Sequence, residues 1–158
     1  MLNVDPEDLH SPVARGLITH LVRELADRYP EDQGEEEASF NPADATGLRS
    51  VFVVAWFGSE PVGCGALRPL PGTADTAEIK RMFVLPASRG KGFGREILQD
   101  LEKHARTFGY ARLVLETGIR QPEAIALYEK SGFTRIPNFA PYEDSVRSLC
   151  FEKIISPH

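Results

Sequence analysis

The stretch Val84-Leu85-Pro86-Ala87-Ser88-Arg89-Gly90-Lys91-Gly92-Phe93-Gly94-Arg95 constrains this chain more than any other. An apolar run, Ala77 to Val84, leads into it, and a helical pattern, Arg95 to Phe108, leads out. Between them sit three glycines at alternate positions and the cations Arg89, Lys91 and Arg95. A strand that turns through glycines into a helix N-terminus gathers several unpaired backbone N–H groups at one point. The helix dipole adds positive potential there, so the natural ligand is a phosphate or pyrophosphate. A bare αβ turn is the competing reading, but a turn alone does not need this many glycines and cations, each glycine costing chain entropy.

Spacing narrows the kind of phosphate site. A Walker loop requires Gly-Lys-Ser/Thr, whereas Lys91 is followed by Gly92; a dinucleotide fingerprint requires G-x-G-x-x-G, whereas Gly90, Gly92 and Gly94 give G-x-G-x-G. Nor does an acidic residue follow the next strand as a ribose clamp would need. What remains is Arg-x-x-Gly-x-Gly, carried by Arg89, Gly92 and Gly94.

A chain of 158 residues suits a single domain, 1–158, with a proper core. No apolar run approaches the ~18 residues of a membrane span, and the N-terminus lacks a basic-then-apolar leader pattern. Cys64 and Cys150 lie inside apolar runs with no C-x-x-C and read as buried thiols of a reducing cytoplasm, while His10, His20, His104 and His158 are scattered, so no metal is expected. The net charge of −5 is unevenly divided. Residues 1–75 hold 5 cations and 13 acids, residues 76–158 hold 13 cations and 10 acids. The half with the glycine turn suits an anionic cofactor; the acidic half suits a cationic partner and argues against nucleic acid.

Along the chain, Met1 to Val4 reads as a first strand and Asp5-Pro6 as a helix-start pair, repeated more strongly at Ser11-Pro12. Val13, Leu17, Ile18, Leu21 and Leu25 mark one helical face. Glu31 to Gly47 is acidic and broken, either a solvated loop or one wall of a site for an amine. Val51–Phe57 and Pro61–Arg68 form a hairpin across Gly58-Ser59-Glu60. In Ala77 to Val84 the apolar phase slips, Ile79 falling out of step with Met82 and Val84, and one extra residue near Lys80-Arg81 would repair it as a bulge. Ala111 to Thr117 is a strand made parallel to its predecessor by a helical crossover. Gln121-Pro122-Glu123 opens a further helix, and Phe133–Ile136 and Val146–Ile155 close the chain as strands. The order describes an α/β or α+β sheet of mixed direction with a central parallel pair.

A second motif lies downstream: Gln121-Pro122-Glu123-Ala124-Ile125-Ala126-Leu127-Tyr128-Glu129-Lys130-Ser131-Gly132-Phe133. It resembles the Asn-x-x-A-x-x-L-Y-E-x-x-G-F of the GNAT N-acetyltransferase superfamily, and the glycine turn resembles that family's acetyl-CoA pyrophosphate loop. The resemblance covers Glu78 to Lys153, with one departure, Gln121 in place of Asn. It implies a GNAT-like single domain, a mixed sheet with a splayed parallel pair flanked by helices, and acetyl-CoA as cosubstrate. The turn residues Arg89, Gly90, Lys91, Gly92, Phe93, Gly94 and Arg95 would hold the pyrophosphate. The strand backbone of Met82, Phe83 and Val84 would pair with pantetheine, and the amide of Gln121 would reach the same cofactor.

The implied reaction is acyl transfer from a thioester to an amine. An alkyl amine has a pKa near 10, so a carboxylate must remove a proton before attack. Glu116 stands at the position used as base in some members; otherwise it is an exposed strand acid or a partner of Arg112 or Arg120. Glu78, on the bent strand, is the second candidate. Tyr128 holds the family's general-acid position, or is a core tyrosine. A phenol near pKa 10 protonating a thiolate near 8.5 is uphill by about 1.5 units, about 2 kcal/mol, so hydrogen bonding to the thiolate is expected unless the phenol's pKa is depressed. Neither cysteine has a His partner, which argues against a cysteine nucleophile.

Phe40, Trp56, Phe139 and Tyr142 are aromatics near the expected acceptor side, and Arg81 and Arg120 are cations that could hold an acceptor carboxylate. The acceptor is expected to be a small-molecule amine, with a protein N-terminus or lysine as the alternative. A CoA-binding sensor without turnover, or a binder of another nucleotide, are readings from other classes. The chain is expected to work as a monomer or homodimer, away from nucleic acid and membrane.

Overall fold

The described residues of the computed structural model, 1–32 and 46–156, form seven strands and three α-helices. These are β1 (Leu2–Pro6), α1 (Pro12–Arg28), β2 (Val51–Phe57), β3 (Glu60–Pro69), β4 (Thr76–Val84), α2 (Phe93–Thr107), β5 (Arg112–Gly118), α3 (Pro122–Lys130), β6 (Thr134–Ile136) and β7 (Ser148–Ile154). One-turn 3₁₀ segments occupy Pro30–Asp32 and Pro86–Ser88. The acidic stretch at 33–45, with Phe40, and His158 lie outside the described residues.

Local chemistry sets the boundaries. Ser11 Oγ accepts the Ala14 N–H at 3.1 Å with Pro12 at the first helical position, which starts α1 as the sequence predicts. Asp5-Pro6 does not start a helix. It ends β1, where Pro6 opposes Val53 on the sheet's edge, a place where a missing N–H is tolerated.

The strands make one mixed sheet, ordered β1-β2-β3-β4-β5-β7-β6. All neighbours are antiparallel except β4 and β5, whose crossover through α2 makes them parallel. α1 covers one face, burying Leu17 and Leu21 with Phe52, Val54, Cys64 and Phe83. α2 covers the other, burying Ile97, Leu98 and Leu101 with Val53, Leu67, Ile79 and Leu113. A Cβ on Gly65 would lie 2.9 Å from Leu101 Cδ1 and 3.0 Å from Ile97 Cγ2, so the bare backbone of β3 lets α2 settle close.

The predicted bulge is present. Cys64 opposes Phe83 and Ala66 opposes Lys80, leaving Arg81 and Met82 across from Gly65 alone. Arg81 takes the left-handed conformation, φ 59°. The extra residue restores the slipped phase, so that Ala77, Ile79, Met82 and Val84 share the α2 face. It also bends β4 away from β5. The parallel ladder runs from Thr76–Arg112 to Ile79–Leu115 and stops, so Lys80–Val84 and Glu116–Gly118 diverge.

Candidate active site

The gap opened by the divergence holds two adjoining cavities, of about 340 and 240 Å³. They share Leu21, Met82, Gln121, Ala124 and Tyr128.

The smaller cavity runs along the glycine turn. Gly90 and Gly92 both have φ 81°, a conformation side chains disfavour, and a Cβ on either would meet nothing within 4 Å. Gly92 is the N-cap of α2, so the helix's first N–H groups open into this cavity. The backbone of β4 supplies the adjoining wall. Leu85 N–H bonds to Val62 O, and by strand alternation Met82 and Val84 turn their own polar groups to the open side. The cradle is not plugged by side chains, and its shape and donors suit a pyrophosphate with an extended amide chain behind it.

Of the turn residues singled out in the sequence, Arg89, Gly90, Gly92, Phe93, Gly94 and Arg95 line this cavity, together with Met82, Phe83, Val84 and Gln121. Lys91 does not line it and its side chain is exposed. The Phe93 ring is buried against Phe57, centroids 5.5 Å apart, leaving its backbone to the turn. Arg89 is already engaged. Its Nε donates to Val84 O at 2.9 Å, Nη2 lies 2.9 Å from both Glu24 carboxylate oxygens, and the guanidinium covers the Phe83 ring at 5.5 Å. It pins the turn to β4 and α1. The Gln121 side-chain oxygen likewise accepts the Gly118 N–H at 3.0 Å, which braces the start of α3.

The larger cavity lies between α1, the diverging strands and the segment before β7. Glu78, Arg81, Glu116, Tyr128 and Tyr142 all line it. Glu78 is fully enclosed and ion-paired, Arg68 Nη2 lying 2.6 Å from Oε1. Arg112 instead pairs with Glu152 at 2.7 Å and Arg120 with Glu31. Glu116 Oε2 accepts the Ser148 hydroxyl at 2.6 Å. Arg120 does not face the cavity; its backbone N–H donates to Tyr29 Oη at 2.8 Å and its guanidinium reaches the Arg28 carbonyl at 2.7 Å. Phe139 supports Tyr142 edge-on at 5.6 Å, and Trp56 packs in the α1-side cluster away from both cavities.

Tyr128 stands where the cavities meet, its ring against Phe133 and Phe151. Burial first, and then the Glu116 charge, push its phenol well above the ordinary value. The depressed pKa that full proton donation would need is therefore not met; the geometry favours a neutral hydrogen-bond donor. Burial pushes the Cys64 thiol up to about 12, with Arg81 pulling weakly the other way, and burial likewise raises Cys150. Both thiols are free and buried, the opposite of an activated nucleophile.

Sequence reasoning missed the residues that frame the two cavities from a distance. Tyr29 and Asp32 come from the end of α1 and its 3₁₀ extension, Arg147 and Ser148 from the entry to β7, while Glu24 on α1 lines the smaller cavity, where it holds Arg89. Arg147 Nε donates to Asp32 Oδ2 at 2.8 Å, closing one rim. Gly118 admits the tyrosine, since a Cβ there would fall 1.9 Å from Tyr29 Oη. No local pattern marks these residues, because each acts through a partner far along the chain.

Comparison with known proteins agrees with this geometry. The profile of the acetyltransferase (GNAT) family matches residues 18–133. A protein of Azospirillum brasilense named an IAA acetyltransferase is 39% identical over 137 residues, covering 87% of each chain. An uncharacterised N-acetyltransferase of Escherichia coli is 34% identical over 150 residues, covering 86% of this chain and 88% of that protein. Among solved structures, a GNAT family acetyltransferase of Elizabethkingia anophelis with acetyl-CoA bound shares the fold, with a TM-score of 0.69 and 20% identity over 98% of each chain. On the family profile and these relatives, the chain belongs to the GNAT acetyltransferase family and is an N-acetyltransferase.

Proposed function

We propose that this enzyme moves an acetyl group from acetyl-CoA directly onto the primary amine of a small metabolite. One observation carries the reading: a cradle suited to pyrophosphate and a second, half-polar cavity meet at Tyr128 and Met82. A void of about 340 Å³ is in the range of small-molecule sites, and the name of the Azospirillum relative supports a small acceptor.

When bound, acetyl-CoA supplies an activated acetyl thioester. The chain's own groups do the rest. The N–H groups of the Gly90–Gly94 turn, backed by the α2 dipole, hold the diphosphate. Met82 and Val84 offer backbone to the pantetheine amides as a neighbouring strand would. The Glu116 carboxylate takes the proton of the incoming ammonium and orients the lone pair toward the seam. As the new C–N bond forms and the C–S bond breaks, Tyr128 keeps its own proton and donates a hydrogen bond to the departing sulfur, where negative charge develops. The second proton released from the nitrogen passes to that thiolate, leaving the amide and free CoA thiol. Glu78, neutralised by Arg68, shapes the opposite wall.

Two measurements test this. Acetyl-CoA should raise the melting temperature where ATP and NAD do not. An amine library, followed by release of free CoA thiol, should return small amines. Turnover restricted to peptides, or none with any amine, would overturn the acceptor assignment.

A further inference from the structure

Glu116 does not stand alone on β5. In the β5–β7 ladder Glu116 opposes Cys150 and Gly118 opposes Ser148, so Ser148 is the diagonal cross-strand neighbour of Glu116 on the same face. Its Oγ lies 2.6 Å from Glu116 Oε2 and 2.8 Å from Ser145 Oγ. A serine has one hydroxyl proton, and an ionised carboxylate can only accept. With Glu116 ionised, the Ser148 proton is therefore committed to Oε2, and Ser145 supplies the proton of the second bond. The two hydroxyls form a directed pair of donors ending on the carboxylate.

This pair is held by its surroundings. Ser148 is buried. The segment that carries both serines is gathered by one side chain, Asn138 Nδ2, which lies 3.2 Å from Tyr142 O, 3.3 Å from Ser145 O and 3.2 Å from Ser148 O. Ser145 N–H also closes on Tyr142 O at 3.0 Å.

We propose that Ser148, oriented by Ser145, is a positioning residue for the base: its hydrogen bond to Oε2 fixes the orientation of the Glu116 carboxylate that accepts the ammonium proton. The proposal rests on the reading of Glu116 as base. A charge-assisted hydrogen bond stabilises the ionised form, and its loss raises the pKa. Among the described residues, the charged and titratable groups that share the cavity or ladder of Glu116 are Tyr29 and Asp32 beyond α1, Glu78, Lys80 and Arg81 on β4, Tyr128 on α3, and Tyr142, Arg147 and Cys150 on the β7 side. When Glu116 becomes protonated the same pair can reverse, Glu116 donating to Ser148 and Ser148 to Ser145, so the base gains a proton without stranding a buried polar atom.

The test needs no acceptor for its first readout. In protein labelled with ¹³C at glutamate carboxyls, the Glu116 resonance, assigned by its loss in Glu116→Gln, is titrated with pH. Ser148→Ala should move its midpoint up by about one pH unit. Ser145→Ala should move it less, in the same direction, and Ser148→Thr, which keeps the hydroxyl, should leave it near the wild-type position. The second readout is CoA release with the best amine of the library. Ser148→Ala should lower kcat about tenfold with KM for acetyl-CoA unchanged, because Ser148 does not line the smaller cavity, and Ser148→Thr should restore it. A midpoint that does not move, a kcat that does not fall, or a threonine variant that behaves as alanine overturns the proposal. Wild-type kcat in Glu116→Gln overturns the base assignment itself, a result separable from the titration.

Discussion

A tyrosine between two cavities can act as an acid or as a fixed dipole, and its proton affinity decides which. Burial and the neighbouring Glu116 charge both favour the neutral phenol, so Tyr128 stays protonated through and beyond pH 10. Tyr128→Phe should lower kcat by about ten- to a hundredfold while leaving the KM for acetyl-CoA within about twofold. The shape of the pH profile below pH 10 should be unchanged in that variant, as measured by initial rates; a lost basic limb would mean that the phenol titrates during turnover. At the same scale, Arg89 shows how a motif residue can serve by bracing. Its guanidinium is occupied by Val84 and Glu24, so the arginine of Arg-x-x-Gly-x-Gly shapes the turn whose backbone faces the ligand.

The turn between β4 and α2 is the element where sequence and structure correspond most closely. Gly92 combines positive φ, the N-cap of α2 and open space where a side chain would stand. Gly92→Asp should therefore abolish the rise in melting temperature that acetyl-CoA gives, adding like charge and strain at the diphosphate cradle, while the unliganded protein melts only a few degrees lower. Isothermal titration would check the loss of binding, and unchanged affinity would remove this turn from the site. Why this element was legible is physical: glycines with forced dihedrals and a slipped apolar phase leave marks in consecutive residues. The bulge was readable because Ile79 and Met82 cannot share a face in a regular strand, and only an inserted residue reconciles them. By contrast, Asp5-Pro6 misled, since a proline that ends an edge strand looks in sequence like one that begins a helix. Ser148, Glu24 and Tyr29 left no mark at all: their significance lies in pairings across the fold, with Glu116, Arg89 and Arg120. Arg120 was legible as a cation but not as one turned away from the cavity by Glu31.

At the scale of the whole molecule, the far ends of the sequence are tied together around the larger cavity. Hydrogen bonds from Arg120 to Glu31 and from Arg147 to Asp32 hold both carboxyls below their ordinary range. A depressed carboxyl pKa contributes stability above the unfolded value, about 4, and the contribution is lost as pH falls through the folded value. These groups lie at the surface, so the effect is small. The double variant Glu31→Gln, Asp32→Asn should melt slightly below wild type at pH 7, and the two melting curves should converge by about pH 3. A gap that persists in acid would assign the difference to packing instead of charge.

The ladder between β4 and β5 ends at Ile79 and Leu115 although both strands continue. An unfinished sheet of this kind is a vacancy for one more strand, and a ligand with amides spaced along its length can act as that strand. Occupancy should therefore read out as slowed amide hydrogen exchange at Met82 and Val84 when acetyl-CoA is added, with the closed ladder at Thr76–Ile79 already protected without it. In the binding mode proposed above, the cosubstrate completes the protein's secondary structure for the lifetime of each turnover.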